Sequence, residues 1–167
     1  MEEFRRLYET VYQDLYRLAY YYLGNAADAE DAVQDTALAA WRGFGSLKKK
    51  EAFRAWILQI LVNTCRRALR KKTAAGYEGL SPDPAAELDA QRSGAAKENL
   101  TERLELLELL SGLDDEERLI VLLTVFGGYK GEEIAKILNR RHSTVRSRYR
   151  RALKKLERKL QEKEESL

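Results

Sequence analysis

Ten lysines and arginines fall between residues 140 and 159, against one acid, Glu157. Within that window Arg146, Ser147, Arg150 and Arg151 recur at helical spacing, preceded by Arg141, His142, Ser143 and Thr144. Arginine can read guanine edges bidentately, and serine or threonine hydroxyls can hold phosphates or bases. A second window, 48–72, holds nine basic residues and one acid, Glu51. Here aromatic and basic residues alternate: Trp41, Phe44, Lys48, Lys49, Lys50, Phe53, Arg54 and Trp56, then Asn63, Arg66, Arg67 and Arg70. Unpaired bases stack on aromatic rings at ~1–3 kcal/mol each while cations follow the backbone. The plainer alternative is a solvated basic face in each window, with Trp41, Phe53 and Trp56 in the core, and part of each ring is expected there. Two separated cationic stripes in a chain of net charge only +3 suggest a long polyanion touched at two places.

Other chemistry is scarce. One cysteine, Cys65, excludes an internal disulfide framework and a multi-cysteine zinc site. One histidine, His142, argues against a histidine triad or metal cluster. No nucleophile–base pair or phosphate loop stands out, so no catalysis, metal or cofactor is expected. Cys65 reads most simply as a small core residue, with a redox role as the lesser alternative. No apolar run reaches the ~18–20 residues that span a bilayer. The start, MEEFRRLYET, lacks the apolar stretch of a signal peptide. The expectation is a cytoplasmic protein with no membrane insertion.

The elements that must carry these residues are helical. Phe4, Leu7, Tyr8, Val11, Leu15, Leu18, Ala19 and Tyr22 make one apolar stripe that Gly24 stops. Tyr8, Tyr12, Tyr16 and Tyr20 form a second row, read as a half-buried packing face rather than a partner surface. A second helix is capped near Asn25–Asp28 and turns Ala29, Ala32, Val33, Thr36, Ala40 and Trp41 inward, with Glu30, Asp31, Gln34 and Asp35 opposite. After a break at 43–46, a third helix runs from about Glu51 into Arg70, with Phe53, Trp56, Ile57, Ile60 and Leu61 inward.

Residues 73–98 hold both prolines and a net acidic charge, and read as a linker. Apolar steps then resume at Leu100, Leu104, Leu107 and Leu110, and again at Leu119, Ile120, Leu122, Leu123 and Phe126 after a cap at Asp114 or Asp115. From Glu132 to Leu153 the spacing is that of a helix-turn-helix. Ala135 is small where two helices cross, Asn139 suits a left-handed turn, and Val145 can pack back. The last helix, His142 to Glu164, is expected to face inward with Val145, Tyr149, Leu153, Leu156 and Leu160. The fold class is all-α, in two small domains.

The pieces AADAEDAVQDTALAAW (26–41), FRAWILQILVNTCRRALRKK (53–72), LDDEERLIVLLTVFGGYKGEEIAKIL (113–138) and STVRSRYRRALKKL (143–156) resemble regions 2 and 4 of the extracytoplasmic-function sigma factors of bacterial RNA polymerase. The resemblance implies a sigma region 2 bundle over 1–72, a flexible acidic linker over 73–98, and a region 4 helix-turn-helix domain over 99–167. It implies docking of Asp31, Gln34, Asp35 and Leu38 on the β′ clamp helices, with the β flap as a further contact. It implies −10 promoter contacts from Phe44, Lys48, Lys49, Phe53, Arg54, Asn63, Arg66, Arg67 and Arg70, where a base is unstacked and captured. It implies −35 contacts from Arg141, His142, Ser143, Thr144, Arg146, Ser147, Arg150 and Arg151. The acidic linker resembles the segment that threads toward the RNA exit path, and an anti-sigma factor is a common partner in the family.

Two departures stand out. The turn carries Arg140 and Arg141 where the family usually has an apolar residue and a serine-type cap. This either weakens turn packing or adds phosphate contacts. Lys130 and Gly131 occupy positions where a serine and an aromatic are common. The rival readings are a stand-alone helix-turn-helix regulator that dimerises through its first domain, and an interaction adaptor that does not bind DNA.

Overall fold

The computed structural model describes residues 1–77 and 99–166. The chain divides into two compact units, one built on the first three helices, the other beginning at Asn99.

In the first unit, α1 (Glu2–Leu23) ends at Gly24, whose φ of 93° is the left-handed conformation that glycine adopts without a Cβ clash. Its N–H closes on the Tyr20 carbonyl at 2.7 Å. Asn25 then caps α2 (Ala26–Gly43), accepting the Asp28 N–H at 2.9 Å. Two 3-10 turns, Phe44–Ser46 and Lys50–Ala52, lead into α3 (Phe53–Ala74). That helix runs past Arg70, where the sequence reading ended it. All three helices pack on one another.

The aromatic row along α1 is a continuous ladder, Phe4–Tyr8–Tyr12–Tyr16–Tyr20, with centroids 5.8 to 6.5 Å apart. Tyr16 and Tyr20 are buried, which agrees with the packing reading. The far half of α1 is buried all round from Leu18 to Leu23, more than one apolar stripe suggests. Trp41 departs from its expected inward place: it is 40% exposed, leaning edge-on against Phe4 at 5.4 Å. The small Ala40 fills the inward position beside it, and there is no room there for an indole.

The second unit comprises α4 (Leu100–Leu110), α5 (Asp115–Val125), α6 (Gly131–Leu138) and α7 (His142–Glu165). Asp114, not Asp115, caps α5, in a reciprocal pair of bonds with Glu117. Gly127 is forced by space: a Cβ there would lie 2.6 Å from the Leu123 carbonyl. Helix α7 runs along α4, α5 and α6. Its inward seam differs from the expected one. Val145 and Ala152 are buried, while Leu153 and Leu160 are 44% and 49% exposed. Polar anchors set this rotation: Lys155 reaches the buried Glu117, and Lys159 reaches the Glu108 carbonyl and Ser111.

Candidate nucleic-acid and docking surfaces

The helix-turn-helix is built as its spacing predicts. Asn139 takes φ 55°, ψ 50°, and the Arg140 N–H closes on the Ala135 carbonyl at 2.9 Å. Ile134, Ala135, Leu138 and Val145 are buried, so the opposite side of α7 faces out. Arg141, His142, Ser143, Arg146, Ser147, Arg150 and Arg151 are exposed there, and Thr144 is half-buried. Among the described residues no ion pair or hydrogen bond engages the side chains of Arg146, Arg150 or Arg151.

Both departures in the turn acquire a physical account. Arg140 turns back onto α5, where its Nε donates to Glu116 Oε1 at 2.9 Å, and Arg148 approaches Oε2 of the same carboxylate at 3.4 Å. The bond from Glu116, then its charge, raises the Arg140 pKa. Arg140 thus ties the turn to α5 through Glu116 while its side chain stays 46% exposed. Arg141 occupies the N-cap of α7 with no side-chain cap bond. Gly131 opens α6, and a Cβ there would lie 3.0 Å from His142 Nε2. The missing side chain at 131 is what lets the imidazole rest against α6.

In the first unit, Asp31, Gln34, Asp35 and Leu38 are all exposed, and their spacing places them on one outward stripe of α2. Leu38 is 49% exposed, and Trp41 extends the stripe by one turn. A groove of about 930 Å³ lies between α2 and α3, walled by Asp28, Asp31 and Asp35 on one side and by Arg67, Lys71 and Lys72 on the other. Lys72 donates to Asp28 at 2.9 Å, tying the end of α3 to the start of α2. Burial alone would raise the Asp28 pKa, but the bonds from Asn25 and Lys72 and the Lys72 charge outweigh it and lower it.

The residues assigned to the −10 element divide in two. Lys48 and Lys49 are exposed at the loop, as are Asn63, Arg67 and Arg70 on α3, and Phe44 and Arg66 are half-buried. Phe53 takes the inward place its spacing gave it: it is 2% exposed and packed edge-on against Phe4 and Phe44. Arg54 is engaged in a part-exposed ion pair, its Nη1 donating to Asp14 at 2.7 Å across 40 residues of chain. Lys50, named in the same basic run but not among the −10 contacts, holds its ammonium 3.8 Å from the centre of the Phe44 ring.

Cys65 is buried, and burial pushes its thiol up to about 12. Its reaction with a water-soluble disulfide reagent at pH 8 is therefore expected to be at least a hundredfold slower in the native chain than in denaturant, roughly as the thiolate fraction dictates. Equal rates, read by thiol release, would place Cys65 at the surface. Among the described residues there is no acid–histidine–cysteine cluster that could hold a metal, and no helix is long and apolar enough to cross a membrane. The linker assignment falls largely on 78–98, outside the described residues.

A three-helix bundle with an acidic–amide stripe, and a separate helix-turn-helix unit with an arginine-rich outer face, define an all-helical protein with a surface suited to DNA. Residues 7–75 match the sigma-70 region 2 family and residues 103–156 the sigma-70 region 4 family. The chain is 33% identical over 142 residues to the RNA polymerase sigma factor SigV of Bacillus subtilis, spanning 85% of this chain and 81% of that one. It is 32% identical over 158 residues to the extracytoplasmic-function sigma factor SigM of Mycobacterium tuberculosis, spanning 94% and 76%. Among solved structures, CnrH in complex with the cytosolic domain of CnrY superposes with a TM-score of 0.69 at 26% identity, covering 95% of this chain and 87% of that one. RpoE of Bartonella quintana, solved with the anti-sigma factor NepR, shares the fold with a TM-score of 0.74 at 23% identity, covering 96% and 98%. The chain belongs to the extracytoplasmic-function group of the sigma-70 family. It is an RNA polymerase sigma factor, working with the core enzyme on promoter DNA in transcription initiation. That membership favours neither the stand-alone regulator nor the adaptor.

Proposed function

We propose that the work is divided by unit. Residues 1–72 dock on the polymerase core and read the −10 element, residues 99–167 read the −35 element, and 73–98 connect them. On this reading the α2 stripe of Asp31, Gln34, Asp35 and Leu38 meets the β′ clamp helices, with Trp41 beside it. Lys48, Lys49, Asn63, Arg66, Arg67 and Arg70 follow the melted strand, and the outer face of α7 enters the −35 major groove. The protein acts as a non-enzymatic, cytoplasmic subunit, and an anti-sigma factor, such as the NepR bound to RpoE, is a further partner.

The observation that carries this reading is the exposed row Arg146, Ser147, Arg150 and Arg151, held from behind by the buried Val145 and Ala152. A side chain already committed to an internal ion pair must break it before reading a base, and among the described residues these arginines have none. The test is transcription in vitro with core polymerase on a promoter library, with and without the protein. Arg146→Ala is expected to cost ~1–3 kcal/mol of binding and to relax preference at one −35 position. An unchanged preference with weaker binding would reassign Arg146 to a phosphate.

A further inference from the structure

The loop between α2 and α3 carries three successive lysines, and they are not equivalent. Lys48 and Lys49 are exposed, whereas Lys50 is half-buried and turns back across the loop. Its Nζ donates to the Leu47 carbonyl at 3.1 Å and lies 3.8 Å from the centre of the Phe44 ring. Phe44 is itself seated edge-on against Phe4 at 5.3 Å and Phe53 at 5.9 Å. Two more bonds tighten the same turn: Ser46 Oγ donates to the Gly43 carbonyl at 2.7 Å, and the Leu47 N–H to the Phe44 carbonyl at 3.1 Å. A single ammonium thus joins the end of the loop to its beginning, over an aromatic floor fixed in the core.

We propose that Lys50 is a positioning residue that clamps the 44–50 loop in its base-capturing shape, leaving Lys48 and Lys49 to meet the DNA. The inference rests on the reading of this loop as the −10 element reader. Capturing an unstacked base costs a few kcal/mol, so a loop that must also order itself on binding loses part of what stacking and pocket contacts return. A loop already closed by Lys50 avoids that loss. The contribution falls on strand opening and base choice rather than on attraction to the duplex, because the charge of Lys50 is directed inward.

The test uses holoenzyme reconstituted from core polymerase and the full chain, on a promoter selected from the library. Lys50→Ala is expected to lower the rate of strand opening, read by permanganate reactivity of −10 thymines, about five- to tenfold, the scale of one cation–π contact and one hydrogen bond. It is also expected to broaden preference at one −10 position. Closed-complex affinity should change less than twofold, and Lys50→Arg, which keeps both contacts, should restore opening and preference. Equal losses in closed-complex affinity and opening would make Lys50 a phosphate contact and overturn the proposal. Faster opening would make it a lid over Phe44, and the clamp would fall on that result too. Lys48→Ala with Lys49→Ala separates the two ideas. If that pair changes −10 preference or opening while Lys50→Ala changes nothing, the clamp fails and the loop reading stands. If neither change has an effect, both fall.

Discussion

Reversing two charges on α2, Asp31→Lys with Asp35→Lys, is expected to weaken binding to core polymerase by at least about a hundredfold, on the order of 3 kcal/mol. Both aspartates are exposed on one stripe with Gln34 and Leu38, so the change alters a surface and not a core. Opposed like charges across an interface cost several kcal/mol, whereas the same exposed groups contribute little to folding. Both residues also wall the groove opposite Arg67 and Lys71, and new lysines there would repel those cations as well. The helices should still form, because the inward residues Ala29, Ala32, Val33, Thr36 and Ala40 are untouched. A fluorescence titration of labelled protein with core enzyme measures the effect, with far-ultraviolet dichroism as the folding control. Retained affinity with intact helices would remove Asp31 and Asp35 from the docking surface.

The largest stability effect is expected at Glu117. Its side chain is 0% exposed, accepting from Lys155 Nζ at 2.7 Å and from the Asp114 N–H at 2.9 Å. It joins the start of α5 to the middle of α7, the helix that carries the outer arginine face. Replacing it by alanine removes the partner of Lys155, leaves the Asp114 N–H without its acceptor while the Asp114 cap itself stays, and opens a cavity. The lost charge-assisted bond and the lost half of the capping box together cost about 3 kcal/mol. In a unit of this size each kcal/mol lowers Tm by about 4–8 °C, so a loss of about 12 °C or more is expected. Glu117→Gln, which keeps the bond to Asp114 and loses the charge pair, should fall between. Hydrogen exchange at α5 and α7 amides localises the effect to the second unit. An alanine variant within about 1 kcal/mol of the parent would mean that the pair only balances its own desolvation. The part-exposed Arg140–Glu116–Arg148 cluster supplies turn geometry more than stability.

How much of this was legible beforehand differs by residue. The stops and caps were local and readable: Gly24 and Asn139 take the left-handed turns their positions call for, and Asp114 caps α5 through a residue three places on. The outward stripe of α2 and the outer face of α7 were readable as well, because a helix turns about 100° per residue and spacing alone tells which side chains share a face. Spacing does not tell what each face meets. Arg54 and Asp14 are 40 positions apart, Lys155 and Glu117 are 38 apart, and nothing in either neighbourhood announces the pairing. So the sequence by itself determined an all-helical chain with two cationic surfaces and a turn built for a helix-turn-helix. Packing decided which cations are engaged within the protein, pairing Arg54, Arg140 and Lys155 with carboxylates and laying Lys50 over Phe44, while among the described residues Arg146, Arg150 and Arg151 have no ion pair. The physical reason is that a charge's partner is set by the tertiary approach of distant segments. For the same reason Trp41, predicted inside, was left partly in water, while Phe53 lies in the core as its spacing predicted.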